Sequence, residues 1–179
     1  MKRLVIISLF LVGLLTSAGT SYKSAEKQNY DTNAKMKAVF VYNFTRYIEW
    51  PEEYKQGNFV IGLLGETPIT AEIDKVAATK KAVNQTIEIK KFNSLSDISE
   101  CHILYVASSN SGDLSAALQK TKGRSTLVIT EQDGLAVKGA GISFKVVNNR
   151  QKFEINKRNI ENRKMIVGSA LLSLAIVVD

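Results

Sequence analysis

The sequence predicts an α/β fold: a single layered domain with a mainly parallel sheet flanked by helices, ending in a β-hairpin and further helices. Two near-continuous apolar runs, at residues 59–64 and 102–108, indicate central strands covered on both faces. Strand-like runs alternate with helical segments of about ten residues, which favours parallel pairing. After residue 141 the alternation of strands and helices stops. Two short strand-like runs flank the turn Asn148-Asn149, which is typical of a hairpin.

The first element of this domain is predicted to be a helix over residues 34–49. The segment contains no Gly or Pro, and its apolar residues recur at steps of three and four, which indicates one broad buried face. Pro51 ends the helix, because the residue before a proline avoids helical backbone angles.

The remaining elements follow from the same alternation of apolar runs and turn residues. In order, the sequence predicts a strand at 59–64, a helix at 69–79, a strand at 86–92, a strand at 102–108, a helix at 114–122, a strand at 126–130, a hairpin of 142–147 with 152–155, a helix at 157–163 capped by Asn156, and a last helix at 167–176.

Composition and charge are those of an ordinary globular domain. Hydrophobic residues make up 45% and charged residues 23% of the 179 residues. The formal net charge is +7, but the lysines are spread along the chain and no stripe of basic and aromatic residues stands out. The sequence therefore predicts a solvated basic surface and no nucleic-acid partner.

The first 19 residues predict a signal peptide. A basic start is followed by an apolar run at 4–15 and then by small residues. The run is about 12 residues long, whereas a membrane-spanning helix needs about 20, so a cleavable leader is favoured over an anchor. Residues 20–33 are predicted to be a flexible lead-in, and residues 34–179 to form the domain.

The chain has one cysteine and one histidine, and they are neighbours. Cys101 cannot form an internal disulfide, so it is either a buried thiol, which we favour, or an intermolecular link. His102 begins a strand, where adjacent side chains point to opposite faces, so a Cys–His ion pair is disfavoured and a structural role is favoured.

Metal and cofactor motifs are not visible. One Cys and one His cannot form the usual zinc set, and the acidic pair Glu52-Glu53 is too short for a calcium loop. The segments 62–65 and 139–141 contain paired glycines but no third glycine that opens a helix, so neither predicts a phosphate cradle. We expect no metal, no cofactor and no enzymatic activity.

Aromatic residues are concentrated on the first predicted helix and just beyond it. Core packing explains most of them, but they cannot all face one side. Tyr42, Tyr47 and Trp50 are therefore the candidate partner-binding residues, since exposed aromatic side chains mark contact surfaces.

The segment KAVFVYNFTRYIEWP at 37–51 resembles the opening helix of YfiR-like proteins. Four further segments resemble that family in the same order and at compatible spacing. They are CHILYV at 101–106, 126–130 with Gly134, GAGISF at 139–144, and KFEIN at 152–156 followed by 171–175. The resemblance covers nearly the whole predicted domain.

This resemblance implies a periplasmic α/β protein that often forms a homodimer. It also implies a regulatory role, in which the protein restrains a membrane-bound diguanylate cyclase by binding its periplasmic part and so lowers cyclic-di-GMP signalling. An outer-membrane lipoprotein would relieve the restraint by sequestering the inhibitor.

The sequence departs from the family pattern at two places. Gly62 stands where many relatives carry a cysteine that bridges to the counterpart of Cys101, so that internal bridge is lost here. Residues 168–170 stand where relatives often show two serines and a basic residue, which removes any function of that basic group.

Three other functions compete with the regulatory one. A small-ligand sensor would use the polar loops after the predicted strands, at 65–67, 108–110 and 130–131, since doubly wound sheets bind ligands beyond the carboxyl ends of their strands. An enzyme would have to act through Ser108, Ser109 and Asp113 without histidine. A structural or adhesive protein is the remaining alternative.

Overall fold

A computed structural model describes the backbone of residues 18–179 and the side chains from residue 32 onward. Residues 34–179 form one compact unit. The signal peptide predicted at 1–19 lies outside the described residues except for its last two positions. Every helix in the described part of the chain is too short or too polar to cross a bilayer.

Five helices and ten strands make up the described chain, together with short 3-10 turns. The helices are α1 Ala18–Tyr47, α2 Ile69–Thr79, α3 Leu114–Lys120, α4 Lys157–Glu161 and α5 Ser169–Leu172. The strands are β1 Ile48–Glu49, β2 Phe59–Leu64, β3 Lys81–Ala82, β4 Gln85–Phe92, β5 Ile103–Val106, β6 Leu127–Thr130, β7 Ile142–Val147, β8 Arg150–Asn156, β9 Ile166–Val167 and β10 Ile176–Val178.

The main sheet has eight strands in the order β10-β8-β7-β6-β5-β2-β4-β3. Strands β4, β2, β5, β6 and β7 run parallel, β8 returns antiparallel to β7, and β3 is antiparallel to β4. The strand order reverses at β2, which has β4 on one side and β5 on the other. This is a doubly wound α/β arrangement. It confirms the mainly parallel sheet flanked by helices that the sequence predicts.

The apolar runs lie at the centre of the sheet, as expected. All four residues of β5 and of β6 are buried, and five of the six residues of β2 are buried. Two hydrophobic clusters cover the two faces, one around Phe44 and Ile103 and the other around Leu104 and Leu114. Neighbouring residues of β5 therefore point into different clusters, which is why its sequence shows no polar alternation.

Helix α1 packs on the hairpin near the other end of the chain. The Phe40 and Phe44 rings meet the Phe153 ring edge-on, with centroids 5.2 and 5.1 Å apart. Phe144 of β7 extends this group, and its ring lies 6.1 Å from the ring of Tyr105 at the centre of the sheet.

The observed helix α1 is longer than the predicted one. It ends at Tyr47, within two residues of the predicted end, but it begins at Ala18 and not near residue 34. The mobility predicted for residues 20–33 stays a prediction.

The predicted hairpin is confirmed. Asn148 and Asn149 have φ angles of 49° and 59°, the left-handed pair that a two-residue type I′ turn requires. The cap at Asn156 is also confirmed, because its side-chain oxygen accepts a hydrogen bond of 2.9 Å from the Asn159 amide.

The last predicted helix, at 167–176, is wrong. Only Ser169–Leu172 is helical, while Ile166–Val167 pairs with β1 and Ile176–Val178 pairs with β8. The apolar pattern of this segment satisfies either structure, and the open edges of β1 and β8 select the strands. Gly168 allows β9 to approach β1 closely. A Cβ atom at this position would lie only 2.9 Å from the Tyr47 carbonyl oxygen, and glycine has none.

Gly62 lies under the ring of Phe92 in the second hydrophobic cluster. A Cβ atom at position 62 would overlap that ring, so Phe92 fills the space in which a side chain at 62 would project. Both Phe92 and Cys101 belong to this cluster. At Gly62, where the sequence departs from the family pattern, the Phe92 ring therefore occupies the space of the missing side chain.

Gly62→Ala is expected to destabilise the protein by about 1–3 kcal/mol, because the added methyl group forces the buried Phe92 ring to move. Urea unfolding measures the change in the free energy of unfolding. Gly112→Ala is the matched control, since a Cβ there meets nothing within 4 Å. Equal stability of the two variants would contradict this account of Gly62.

Candidate partner-binding site

A cleft of about 360 Å³ opens between the end of α1 and the turn that joins β3 to β4. We call it the Trp50 cleft. Its lining residues are Thr45, Arg46, Ile48, Glu49, Trp50, Lys55, Phe59, Ala82, Val83, Asn84 and Gln85. It lies where β2 and β4 begin, at the amino end of the parallel strands.

Exposed apolar side chains surround this cleft. Val83 is 72% exposed and projects from its lining, while Tyr47, at the end of α1, is 39% exposed. Strand β9 is paired with β1 so that Ile166, which is 60% exposed, lies opposite Glu49 of the cleft. Exposed apolar groups gathered around a concave surface are typical of a contact site.

Val83 holds an unfavourable backbone conformation. Its φ angle is +54°, a left-handed value that β-branched residues rarely adopt because the Cβ branches crowd the backbone. The residue begins a two-residue turn, where Gly or Asn would fit without strain. Strain retained at an exposed apolar residue beside a cleft suggests a functional reason for that side chain.

Trp50 supports the cleft from within. Its ring packs edge-on against Phe59 with centroids 5.0 Å apart, and only 5% of the residue is exposed. The indole Nε1 is buried and has no hydrogen-bond partner among the described residues. Trp50 therefore belongs to the core and forms the floor of the cleft, not its exposed rim.

Charged groups stand at the mouth of the cleft. The guanidinium of Arg46 lies 5.9 Å from the centroid of the Tyr47 ring. Lys55 donates to Glu52 at 2.6 Å and to Glu49 at 3.1 Å, and these hydrogen bonds raise the pKa of Lys55 above its usual value. The mouth thus combines an arginine with a network of fixed charges.

His102 anchors the loop that follows Trp50. Its Nδ1 accepts a hydrogen bond of 3.0 Å from the Val60 amide, so its Nε2 carries the proton and donates to the Tyr54 carbonyl at 2.7 Å. The ring also stacks on Phe59, with centroids 4.3 Å apart. Burial lowers the pKa of His102, which keeps the imidazole neutral in this role. The structural role predicted for His102 fits this geometry.

The three candidate residues occupy different environments. Tyr47 is exposed at the rim, Tyr42 is half-buried against the core, and Trp50 is buried beneath the cleft. Sequence reasoning missed Val83 and Ile166, because each belongs to a two-residue turn or strand that carries no periodic signal. Partner binding by Tyr42, Tyr47 and Trp50 stays a prediction.

The loops proposed for a small ligand meet at the carboxyl end of the sheet, where Glu131 already uses their donors. Glu131 accepts hydrogen bonds from Lys37 at 2.8 Å, from the Thr67 hydroxyl at 3.2 Å and from the Ser108 amide at 3.1 Å. These residues form what we call the Glu131 cluster. Its carboxylate lies at the strand-order reversal, where doubly wound proteins bind ligands.

Tyr105 lies directly beneath the Glu131 cluster. Its hydroxyl is fully buried beside Glu131 and Thr67, but in a geometry that forms no proper hydrogen bond with the described residues. Burial, reinforced by the Glu131 carboxylate, raises the pKa of Tyr105 well above its usual range. The phenol therefore stays neutral in the folded protein.

The other reactive groups are buried or hydrogen-bonded to one another. Burial raises the pKa of the Cys101 thiol to about 12, which makes it a poor nucleophile. Ser109 donates to the side chain of Asn110, which in turn donates to Asp113, so these polar groups satisfy one another. In the described part of the chain, Cys, His and acidic residues do not group in a way that would hold a metal ion.

The fold and these surfaces define a single α/β domain with a mostly parallel sheet and an apolar cleft at the amino end of that sheet. The family model described as YfiR/HmsC-like matches residues 34–176. The chain belongs to this family, whose members are periplasmic regulators of diguanylate cyclases and are regulatory rather than catalytic. The resemblance stated from the sequence motifs is thereby confirmed.

A solved structure supports the fold. It is the ABC domain from Streptococcus pneumonia in complex with L-Trp, which is 12% identical to this chain with a TM-score of 0.51. The match covers 67% of this chain and 55% of that chain, so this protein spans about half of its length. At that identity the likeness extends to the fold alone. No curated protein matched the sequence.

The stability of the protein is expected to fall below about pH 6.5, because the unfolded chain then protonates His102 while the folded chain resists protonation. His102→Gln removes this contribution. Urea unfolding near pH 7.5 and near pH 5.5 measures the free energy of unfolding at each pH. The decrease from the higher to the lower pH should be smaller in the variant than in the wild-type protein. Identical losses in both proteins would contradict the proposed role of His102.

Glu131→Gln is expected to destabilise the protein by about 1–3 kcal/mol, since it leaves the half-buried Lys37 ammonium without its counter-charge. Urea unfolding measures the loss. Glu72→Gln breaks the more exposed pair with Lys75 and should cost less than about 0.5 kcal/mol. A Glu131→Gln variant as stable as this control would show that the Glu131 cluster does not hold α1 to the sheet.

Proposed function

We propose that this protein is an exported periplasmic regulator that restrains a membrane signalling protein by direct contact. The observation that supports this most is the Trp50 cleft, where Tyr47, Val83 and Ile166 expose apolar surface around a concave site. Membership of a family of regulators supports a role for that surface in binding a partner. The leader predicted at residues 1–19 supplies the route to the periplasm.

The partner is proposed to be the periplasmic part of an inner-membrane diguanylate cyclase or a related sensor. A cleft of about 360 Å³ is at the small end of ligand pockets, which suits one or two apolar side chains of a partner better than a large solute. Arg46 at the mouth would pair with an acidic residue beside them. Binding of this kind depends on a few apolar anchors surrounded by polar contacts.

The proposal also covers release of the membrane partner and formation of a homodimer. An outer-membrane lipoprotein that occupied the same cleft would free the membrane partner by competition. Homodimerisation has a separate surface available, because β10 is an end strand of the main sheet and exposes Ile176 and Val177. An exposed apolar edge strand offers unpaired backbone groups to a second copy.

A small-ligand sensor has weaker support. The carboxyl-end loops do come together, but their hydrogen-bond donors face the Glu131 carboxylate. A ligand there would have to displace an internal ion pair. Contact with a protein through the opposite, amino end of the sheet requires no such rearrangement.

Val83→Asn tests the proposal, because it removes the exposed apolar side chain and suits the left-handed backbone. We expect stability at least equal to wild type, but about tenfold weaker recovery of the membrane partner in native co-purification from the envelope. Cellular cyclic-di-GMP should rise in parallel.

Val137→Asn is the matched control, since Val137 is also exposed, at 56%, but lies outside the cleft lining. It should retain both partner recovery and low cyclic-di-GMP. Full partner recovery with Val83→Asn, or no membrane partner with the wild-type protein, would overturn the proposed function.

A further inference from the structure

Two basic segments that are far apart in sequence meet on the surface. Residues 120–124 and 157–164 together contain seven basic residues and one acidic residue, a net charge of +6 compared with +7 for the whole chain. The basic members are Lys120, Lys122, Arg124, Lys157, Arg158, Arg163 and Lys164. We call them the basic surface.

A direct contact joins the two segments. Arg163 donates from Nη1 to the Thr121 carbonyl oxygen at 2.9 Å and to the Thr121 hydroxyl at 3.2 Å, across 42 positions of sequence. Thr121 stands between Lys120 and Lys122, which are both exposed, as is Lys164 beside Arg163. The charges that seemed spread along the sequence are thus concentrated in the fold.

The arginines of this surface have no acidic partner among the described residues. Arg158 is exposed and its guanidinium makes no ion pair there, while Arg163 donates only to the neutral oxygens of Thr121. The acidic residue of the two segments, Glu161, pairs with Lys157 at 3.4 Å. An exposed guanidinium without an acidic partner is suited to bind phosphate, which accepts its paired N–H groups.

The basic surface and the Trp50 cleft lie at the same end of the sheet. The cleft borders the first residues of β2 and β4, and the basic surface precedes β6, whose first residue is Leu127. These strands are parallel, so their first residues share one end. Strand β8 runs antiparallel to β7 and ends there too, at Asn156, immediately before α4.

We propose that the basic surface binds the phosphate headgroups of anionic phospholipids and holds the protein on the membrane with the Trp50 cleft facing its partner. None of the exposed large hydrophobic residues of the described chain falls within the two segments. A protein interface would need such anchors, whereas an anionic lipid surface attracts clustered lysines and arginines without them. This inference goes beyond the proposed function and adds a second point of attachment.

Vesicle flotation tests the inference with the protein in its exported form. The probes are vesicles of phosphatidylcholine alone and vesicles of equal parts phosphatidylcholine and phosphatidylglycerol. The wild-type protein should float with the anionic vesicles only, and binding should weaken as salt is added, because the attraction is screened.

The test variant is Lys122→Glu with Arg158→Glu, two exposed residues whose side chains make no hydrogen bond or ion pair in the described structure. We expect at least about 25-fold weaker binding to anionic vesicles, since each charge near such a surface contributes about fivefold. Lys35→Glu with Arg150→Glu is the matched control. It changes the net charge equally, but at the carboxyl end of the parallel strands, because Lys35 precedes Lys37 of the Glu131 cluster and Arg150 pairs with the last residue of β7. It should bind within about twofold of wild type.

Equal binding to both kinds of vesicle, or equal loss in both double variants, would overturn the proposal. Capture by immobilised poly-glutamate without vesicle binding would assign the surface to an acidic protein and would also overturn it. Thermal unfolding checks that both variants are folded. The assay contains no protein partner, so its failure would leave the test of the Trp50 cleft unaffected.

Discussion

The structure depends on covering both faces of a parallel sheet whose central strands carry almost no polar side chains. One face is covered chiefly by α1, whose Phe40 and Phe44 rings pack on Phe153 of the C-terminal hairpin. This contact joins the first and last thirds of the compact unit across the sheet. Non-local contacts of this kind are what make the domain a single cooperative unit, because neither the helix nor the hairpin could bury its aromatic face alone.

The same packing gives the two ends of the sheet different properties. At the carboxyl end, α1 brings Lys37 to Glu131, whose carboxylate already satisfies the loop donors that a ligand would need. At the amino end, the end of α1 and the turn before β4 stay apart and leave the Trp50 cleft. His102 fixes the loop beside that cleft through both of its ring nitrogens. At the carboxyl end, which most doubly wound proteins use for ligands, the polar groups are thus bonded to one another. At the amino end, the Trp50 cleft stays open.

Three local rules of stability are broken at the amino end of the sheet. A β-branched residue takes a left-handed conformation at Val83, an indole N–H is left unpaired at Trp50, and a guanidinium nitrogen is left unpaired at Arg124. Each of these costs free energy in the isolated chain. Buried side-chain atoms are also unpaired elsewhere, at Tyr105 and Gln151, so only the strained and exposed Val83 distinguishes the amino end as the proposed contact surface.

The sequence alone determined the fold class, the order of the central elements, the Asn148-Asn149 turn and the family, because these depend on local periodicity, turn chemistry and short motifs. It could not place the C-terminal strands, since an apolar segment such as 166–178 satisfies helix and strand patterns equally and only the open edges of β1 and β8 decide between them. It also could not assemble the candidate site. Val83, Ile166 and the two basic segments are distant in sequence, and only the packing of the sheet brings Thr121 to Arg163 and Ile166 to Glu49.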